Sequence, residues 1–166
     1  TQSEAAYNAV VALDQNRIQS LEKTGGDKKK SYSLPATQKY LDQVVKFMRK
    51  YSKSPEAPDI AYNVALVHYE AENYTKSVTV LKQLQKDFPT HKHSLLISGN
   101  LAKSYTQAGM LKDAQAEYEK LLTQYTAQKD TKKADEINRS IAAVMFQSAE
   151  ESVQKGAFKS GAEIYL

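Results

Sequence analysis

Two stretches of this 166-residue chain, 58–89 and 95–126, carry the same pattern of residues 37 positions apart, for example at Ser77 and Ala114. Each stretch has apolar residues three and four positions apart, which is the spacing of helices with one buried face. A turn divides each stretch into two helices, at Asn73 in the first. A helical hairpin that recurs with a period in the thirties of residues is the signature of a helical-repeat protein. The sequence therefore predicts an all-α fold.

The second stretch carries landmark residues at the spacings of one particular repeat. They are a small residue and an aromatic in the first helix, a turn glycine, and a small residue and an aromatic in the second helix: Ala102, Tyr105, Gly109, Ala114 and Tyr118. At these positions the chain resembles the tetratricopeptide repeat (TPR) family. The first stretch is looser, because His68, Glu72 and Ser77 replace the aromatic, the glycine and the alanine. The resemblance implies a right-handed α-α superhelix of about three to four hairpins, the terminal ones degenerate.

The flanking segments extend this pattern in both directions. Residues 1–55 are interpreted as a degenerate basic hairpin: a helix over Ser3–Lys23 capped by Ser3, a flexible loop over 24–30, and a helix from Pro35 that ends at Ser54–Pro55, with Gln43 at the position of the small residue. Residues 131–166 are interpreted as an extended, truncated repeat. Its long helix runs from about Thr131 to Lys155, and Gly156, Phe158, Gly161 and Tyr165 open the next helix. We therefore predict one TPR-like domain that is a fragment of a longer chain.

Charge is distributed unevenly along the chain. Residues 1–55 hold 10 Lys/Arg and 5 Asp/Glu, whereas the remainder is close to neutral, and the whole chain has a net charge of +4. The basic segment could favour an acidic partner, an anionic lipid surface or a glycan. Cysteine is absent, which excludes disulfides and thiol chemistry. Apart from that, the composition is ordinary for a globular protein.

No residue pattern in the sequence indicates catalysis. His91 and His93 have no third ligand near them in sequence, so a solvated loop is favoured over a metal site. His68 is expected to pack inside a hairpin. The run Gly25–Lys30 lacks the spacing of a phosphate-binding loop. The tyrosines fall at packing positions, which disfavours nucleic-acid stacking. We predict that the chain is not an enzyme and uses no cofactor or metal.

The TPR resemblance also implies a binding surface, since the first helices of successive hairpins line a concave groove in that family. The predicted groove residues combine outward-facing positions of those helices with the neighbouring amide side chains of Asn100 and Gln107. The outward-facing positions are Tyr62, Leu66, Tyr69, Lys103, Thr106, Phe146 and Glu150; Gly99 and Val153 occupy two further matching positions. Such a groove suits an extended segment or a helix of a protein partner. Tyr62 and Leu66 stand where chaperone-tail-binding members have Lys and Asn, which argues against a carboxylate clamp.

The repeat spacing and linkers resemble bacterial envelope TPR proteins of the cell-division-coordinator and outer-membrane-assembly types, best over 35–126. This resemblance implies a periplasmic or outer-membrane-associated scaffold, with a cytoplasmic location as the alternative. Membrane contact would be indirect or through an anchor outside this sequence. Two other hypotheses remain open: a helical domain that regulates or positions another part of a larger protein, and a basic N-terminal surface that binds anionic lipid or glycan. The sequence does not indicate an oligomeric state.

Overall fold

The computed structural model describes residues 1–154, which form eight α-helices with no strand among them. In chain order the helices are α1 (Gln2–Lys23), α2 (Lys28–Ser31), α3 (Pro35–Tyr51), α4 (Ala57–Glu70), α5 (Tyr74–Asp87), α6 (Ser94–Gln107), α7 (Leu111–Ala127) and α8 (Thr131–Gln154). Helix α1 packs against α3, α4 against α5, α6 against α7, and α7 against α8. The all-α hairpin fold predicted from the repeat is confirmed.

The chain groups into two compact units, Thr1–His91 and Lys92–Leu166. The core of the first unit joins three helices through one cluster of buried residues: Val10, Tyr40, Val44, Phe47, Ala57, Ile60, Val64 and Val67. In the second unit α6, α7 and α8 bury mainly Ile97, Leu101, Ala102, Tyr105, Leu111, Ala114, Tyr118, Leu121, Val144 and Ala149. Burial of such apolar stripes, rather than helix propensity, is what holds helices of this length together.

The two repeat hairpins reverse direction through the same backbone turn. At the end of α4, Glu72 has a φ of 59° and the N–H of Asn73 donates to the His68 carbonyl at 2.8 Å. At the end of α6, Gly109 has a φ of 72°, and an equivalent bond to the Tyr105 carbonyl measures 2.9 Å. This geometry is the Schellman ending of a helix, which needs one residue in the left-handed region. Glutamate adopts it in the first hairpin at a conformational cost that glycine avoids.

Helix α1 begins earlier than predicted, because its cap is a different residue. The Thr1 side chain accepts a hydrogen bond from the Glu4 N–H at 3.2 Å, and the Glu4 carboxylate bonds the Thr1 amino group at 3.1 Å. This reciprocal pair is a capping box, so Ser3 is not the cap. Further along, Ile18 is 42% exposed, whereas the neighbouring Arg17 is buried. Its Nε bonds Asp14 at 2.7 Å, and its guanidinium lies 5.6 Å from the centre of the Tyr40 ring.

The basic segment predicted as a flexible loop over 24–30 is partly helical and contacts α4 and the turn that follows it. Asp27 caps the short helix α2. Lys28 pairs with Glu70, and Lys29 pairs with Glu72 at 2.8 Å. The loop prediction is wrong for residues 28–30, because partners more than 40 positions away in sequence hold the segment.

The remaining predicted boundaries need small corrections. Helix α4 runs over Ala57–Glu70 and so begins one residue before the stretch 58–89, since Pro58 is tolerated in a first turn. In α3 the small, fully buried residue is Thr37, whereas Gln43 is half-buried. The long helix α8 has the predicted extent within the described residues, although Val153 of its apolar stripe is exposed. The next helix, predicted from Gly156, Phe158, Gly161 and Tyr165, lies outside the described residues.

Candidate functional site

In the second unit a cleft opens between α6, the first helix of its hairpin, and the long helix α8. It is a cavity of about 340 Å³. Its walls are formed by Leu95, Leu96, Gly99, Asn100, Lys103, Tyr118, Tyr125, Lys133, Glu136, Ile137 and Ser140. The volume is at the lower end of the range for ligand sites, and apolar and polar side chains contribute to its walls in comparable number.

Gly99 makes one wall of this cleft unusually open. A Cβ atom built at this glycine would have no neighbouring heavy atom within 4 Å. Glycine in the middle of a helix lowers stability by roughly 0.5–1 kcal/mol relative to alanine. Position 99 therefore offers space at which side-chain size can be changed without disturbing the hairpin core.

The charged groups of the α6–α8 cleft are partly matched within the chain. Lys133 and Glu136 form an ion pair at 2.8 Å. The hydrogen bond to Lys133 lowers the pKa of Glu136, and the same bond raises the pKa of Lys133, so both stay charged near neutral pH. Lys103 is exposed and forms no ion pair with a described carboxylate. A ligand in this cleft meets one unneutralised cation.

Asn100 and Lys103 are the only two of the nine predicted groove residues that line this cleft. The Asn100 side-chain amide donates to the Leu96 carbonyl at 3.0 Å. Thr106 faces inward instead: its hydroxyl donates to the Ala102 carbonyl at 2.9 Å and also interacts with the buried Tyr118 hydroxyl. Burial is the larger influence on Tyr118 and raises its pKa.

The other predicted residues of the second unit are solvent-facing. Gln107 is exposed at the end of α6. Phe146 is 52% exposed on α8, and Glu150 is exposed one turn later on the same helix face. An exposed phenylalanine beside a carboxylate supplies apolar contact area outside the cleft itself.

In the first unit a second cleft opens between α1 and α4, the first helices of successive hairpins. This cavity of about 320 Å³ is lined by Tyr7, Val10, Val11, Asp14, Gln15, Tyr40, Asp59, Ile60 and Asn63. Asp14 is bonded to Arg17 at 2.7 Å, and Asp59 lies 3.9 Å from the His91 imidazole. The charged groups that line this cleft are both carboxylates, in contrast to the lysines of the α6–α8 cleft.

The predicted groove residues Tyr62, Leu66 and Tyr69 are half-buried and do not line the α1–α4 cleft. Burial raises the pKa of Tyr62. Tyr69 packs edge-on against Tyr74, with ring centroids 5.2 Å apart, and so supports the hairpin turn. Sequence reasoning missed the lining residues Tyr7, Asp14 and Asp59. Asp59 could have been found, because it lies one helical turn before Tyr62 on the same face.

Across residues 1–154, no three His, Cys, Asp or Glu side chains come close enough together to hold a metal ion. Within the same residues no helix is both long and apolar enough to cross a membrane. His68, predicted to pack in a hairpin, is 8% exposed, and this prediction is confirmed.

The comparison with protein-family models gives one match over α4, α5 and the residues that follow. Residues 59–91 match the tetratricopeptide repeat model. The match falls on the hairpin that departs more from the family pattern at positions 68, 72 and 77. The search of curated proteins finds no match.

Solved structures support the fold over the length of the chain. One match is the crystal structure of a variant of nearly identical TPR-like repeats from a candidate kinesin light chain of Podospora anserina. The two chains are 15% identical, and the alignment covers 99% of this chain and 85% of that one, with a TM-score of 0.51. At this identity the likeness shows a shared fold of TPR-like helical hairpins. That fold is generally a scaffold for protein interactions.

Proposed function

We propose that this chain is a non-catalytic scaffold that binds a segment of a protein partner between the first helices of its successive hairpins. The observation that carries the proposal is the α6–α8 cleft, which combines an open wall at Gly99, an amide at Asn100 and a cation at Lys103. A peptide segment could place an apolar side chain against Leu96 and a carboxylate near Lys103. Neither reaction chemistry nor nucleic-acid binding is part of the proposal.

The α1–α4 cleft supports the same function with the opposite charge preference. Asp59, whose side chain is 52% exposed, favours a basic or neutral segment there, whereas Asp14 is already paired with Arg17. Charge complementarity of this kind sets specificity and association rate more than affinity. We propose that the hairpins act as one helical-repeat domain whose clefts select different parts of a partner.

We further propose that the scaffold works in a bacterial envelope complex, in the periplasm or at the outer membrane. This part rests on the resemblance of the repeat spacing and linkers over 35–126. It is tested by separating the cell fractions of the native organism and locating the endogenous protein with an antibody. Detection in the cytoplasmic fraction alone would contradict it and leave the scaffold proposal standing.

Of the two alternatives, binding of anionic lipid or glycan by the basic N-terminal surface receives less support from the contacts. Lys28 and Lys29 pair with Glu70 and Glu72, and Lys30 with Asp27 at 3.5 Å, so carboxylates offset the charge run. The other alternative, a positioning domain of a larger protein, uses the same binding surface and is distinguished by the full-length sequence.

Capture from an extract of the native cell tests the scaffold proposal. We expect Gly99→Trp to fill the α6–α8 cleft and to abolish capture of the partner, and Lys103→Glu to reduce it. Gly99→Ala controls for loss of glycine, and Ala116→Trp controls for an added surface tryptophan, because Ala116 is exposed on α7 and lines no described cleft. Equal capture by Gly99→Trp and Ala116→Trp, with unchanged helical circular dichroism, would overturn the assignment of this cleft.

A further inference from the structure

The first unit has another cavity, which is bordered mainly by the second helices of its two hairpins. It has a volume of about 350 Å³ and lies between α3 and α5, with α4 forming its floor. Its walls are almost wholly apolar and include Val44, Met48, Val64, Val80, Leu84 and Phe88. Beside it on α3, Val45 is 50% exposed. This surface takes no part in the proposed binding clefts.

The cavity is elongated along α5. The residues of α5 and its cap that line it extend from position 79 to position 88, which is about 13 Å at 1.5 Å per residue. Apolar side chains at positions i, i+4 and i+7 of a helix span about 10 Å. The dimensions therefore match the apolar stripe of a short helix lying along the groove.

The two helices that border the cavity carry mainly one sign of charge, although the charged residue that lines it, Asp87, is a carboxylate. Helices α3 and α5 together carry seven Lys/Arg and two Asp, whereas α1 and α4 together carry five Asp/Glu and two Lys/Arg. None of the seven cations forms an ion pair with a carboxylate among residues 1–154. Arg49 follows the lining residue Met48, and Lys86 precedes Asp87. The one rim carboxylate, Asp87, accepts bonds from the Gln83 amide at 2.8 and 2.9 Å.

We infer that α3 and α5 form a second docking face, which binds an acidic amphipathic helix of another protein. Apolar side chains of that helix enter the α3–α5 cavity, and its flanking carboxylates contact cations such as Arg49 and Lys86. An apolar cavity bordered by helices with an excess of cations suits this combination, because the apolar face of such a helix matches the cavity and its acidic face matches the bordering charges. A flat anionic membrane would meet the cations without filling the cavity.

The test uses the whole chain and a fluorescein-labelled peptide of about 18 residues, long enough to form a helix. The peptide has Leu at positions i, i+4 and i+7, which form one face of the helix, and Glu on the face that would remain exposed after binding. Two matched peptides replace Leu by Ser or Glu by Lys. We expect the Leu/Glu peptide to bind at least about tenfold more tightly than either control peptide, by fluorescence anisotropy.

Two pairs of variants locate the binding. Thr79→Trp fills the cavity, and Ala116→Trp is its counterpart 37 positions later on an exposed face. The variant Arg49→Glu/Lys86→Glu is compared with Lys39→Glu/Lys46→Glu, which changes the net charge equally at two exposed positions of α3 that are neither next to a lining residue nor one helical turn from it. We expect the first member of each pair to weaken binding about tenfold and the second to change it about twofold at most.

Three results would overturn the inference. The first is that the Leu/Glu peptide does not bind, or binds equally after Thr79→Trp in a variant that remains helical and melts cooperatively. The second is that both charge-reversed variants bind the Leu/Glu peptide equally weakly while the parent chain still binds the Ser peptide. This result would show general electrostatic attraction. The third is sedimentation with anionic phosphatidylglycerol vesicles, but not with neutral ones, in the absence of peptide binding, which would identify a membrane surface instead.

Discussion

The hairpins α4–α5 and α6–α7 have the same backbone conformation at their turns but differ in the residues at the positions that define the repeat. Both turn through one left-handed residue, Glu72 in the first and Gly109 in the second. The buried position four residues before the turn is His68 in one and Tyr105 in the other. The same fold is therefore compatible with two sets of residues, and the differences must be explained by what surrounds each hairpin.

The N-terminal segment supplies that explanation for the first hairpin. The Tyr32 ring lies 5.6 Å from the His68 ring, and Lys76 donates to the Tyr32 hydroxyl at 3.0 Å. Glu72 is both the left-handed turn residue and the partner of Lys29. The first hairpin departs from the repeat pattern at residues 68 and 72, which contact the segment containing α2. Departures from a repeat pattern can thus mark where another part of the chain packs.

The largest expected effects are equal truncations at matched core positions. Leu84 and Leu121 are 2% and 1% exposed and lie 37 residues apart. We expect Leu84→Ala and Leu121→Ala each to lower the free energy of unfolding by about 2–5 kcal/mol, from lost apolar burial and the cavity left behind. Urea unfolding followed by circular dichroism measures both. A loss below about 1 kcal/mol at either position would contradict the equivalence of the hairpin cores.

Exchanging the turn residues sharpens the comparison. Glu72→Gly should stabilise the first hairpin by about 0.5–1 kcal/mol. Removing the strain of a left-handed glutamate stabilises the folded chain, and we expect this gain to exceed the loss from the greater freedom of glycine in the unfolded chain. Gly109→Ala should destabilise the second by about 1 kcal/mol. Lys129→Gly is the control, because Lys129 has a φ of 58° with no ion pair described. If Lys129→Gly stabilises the chain and Glu72→Gly destabilises it, the contacts of Glu72 outweigh its strain.

The substitution of histidine for an aromatic predicts a pH dependence confined to the first hairpin. Burial, aided by the positive charge of Lys76, lowers the pKa of His68 below its ordinary value. The unfolded chain therefore takes up a proton at a higher pH than the folded chain does. Stability should fall as the pH drops from the unfolded pKa, about 6.5, towards the lower folded pKa.

Urea midpoints measured between pH 7.5 and pH 5 test this dependence. We expect His68→Phe to reduce the slope, whereas His93→Phe serves as a control because His93 is exposed. An identical slope in the parent and His68→Phe would show that His68 does not contribute to it.

The smallest expected effect is on the contacts of α2. Lys28→Ala/Lys29→Ala removes two largely exposed ion pairs, so global stability should hardly change. Hydrogen exchange of the backbone amides of residues 28–34 should become faster, since the segment loses its link to α4. Lys30→Ala, whose partner Asp27 lies within the same segment, should have less effect. Unchanged exchange in the double variant would show that Tyr32 packing alone holds the segment.

The sequence was sufficient to predict the helices, because their apolar spacing and turn signals are local. The glycine at 109 and the aromatics at 105 and 118 carry the repeat pattern directly. The docking of α2 could not be predicted, since Lys28 and Glu70 are 42 positions apart and nothing local pairs them. The same applies to the buried Arg17, which is stabilised by Asp14 and by a tyrosine on another helix.

The candidate site was predictable only in part. Family positions identified Gly99 and Lys103 in the α6–α8 cleft, but they also selected Tyr69 and Thr106, which make contacts within their own hairpins. The opposite wall, which includes Lys133, depends on the longer α8 and on which of its turns faces α6. That register is determined by packing, and matching positions between helices of different length does not specify it.

Photo-cross-linking in the native cell tests the proposed scaffold most directly. The photo-reactive residue p-benzoylphenylalanine replaces Lys103 in one variant and Ala116 in a control variant. A cross-link from position 103 would show that a partner occupies the α6–α8 cleft. The account predicts a discrete cross-linked protein from position 103, absent from position 116 and lost when Gly99→Trp fills the cleft. No adduct from position 103, with a discrete adduct from position 116, would contradict it.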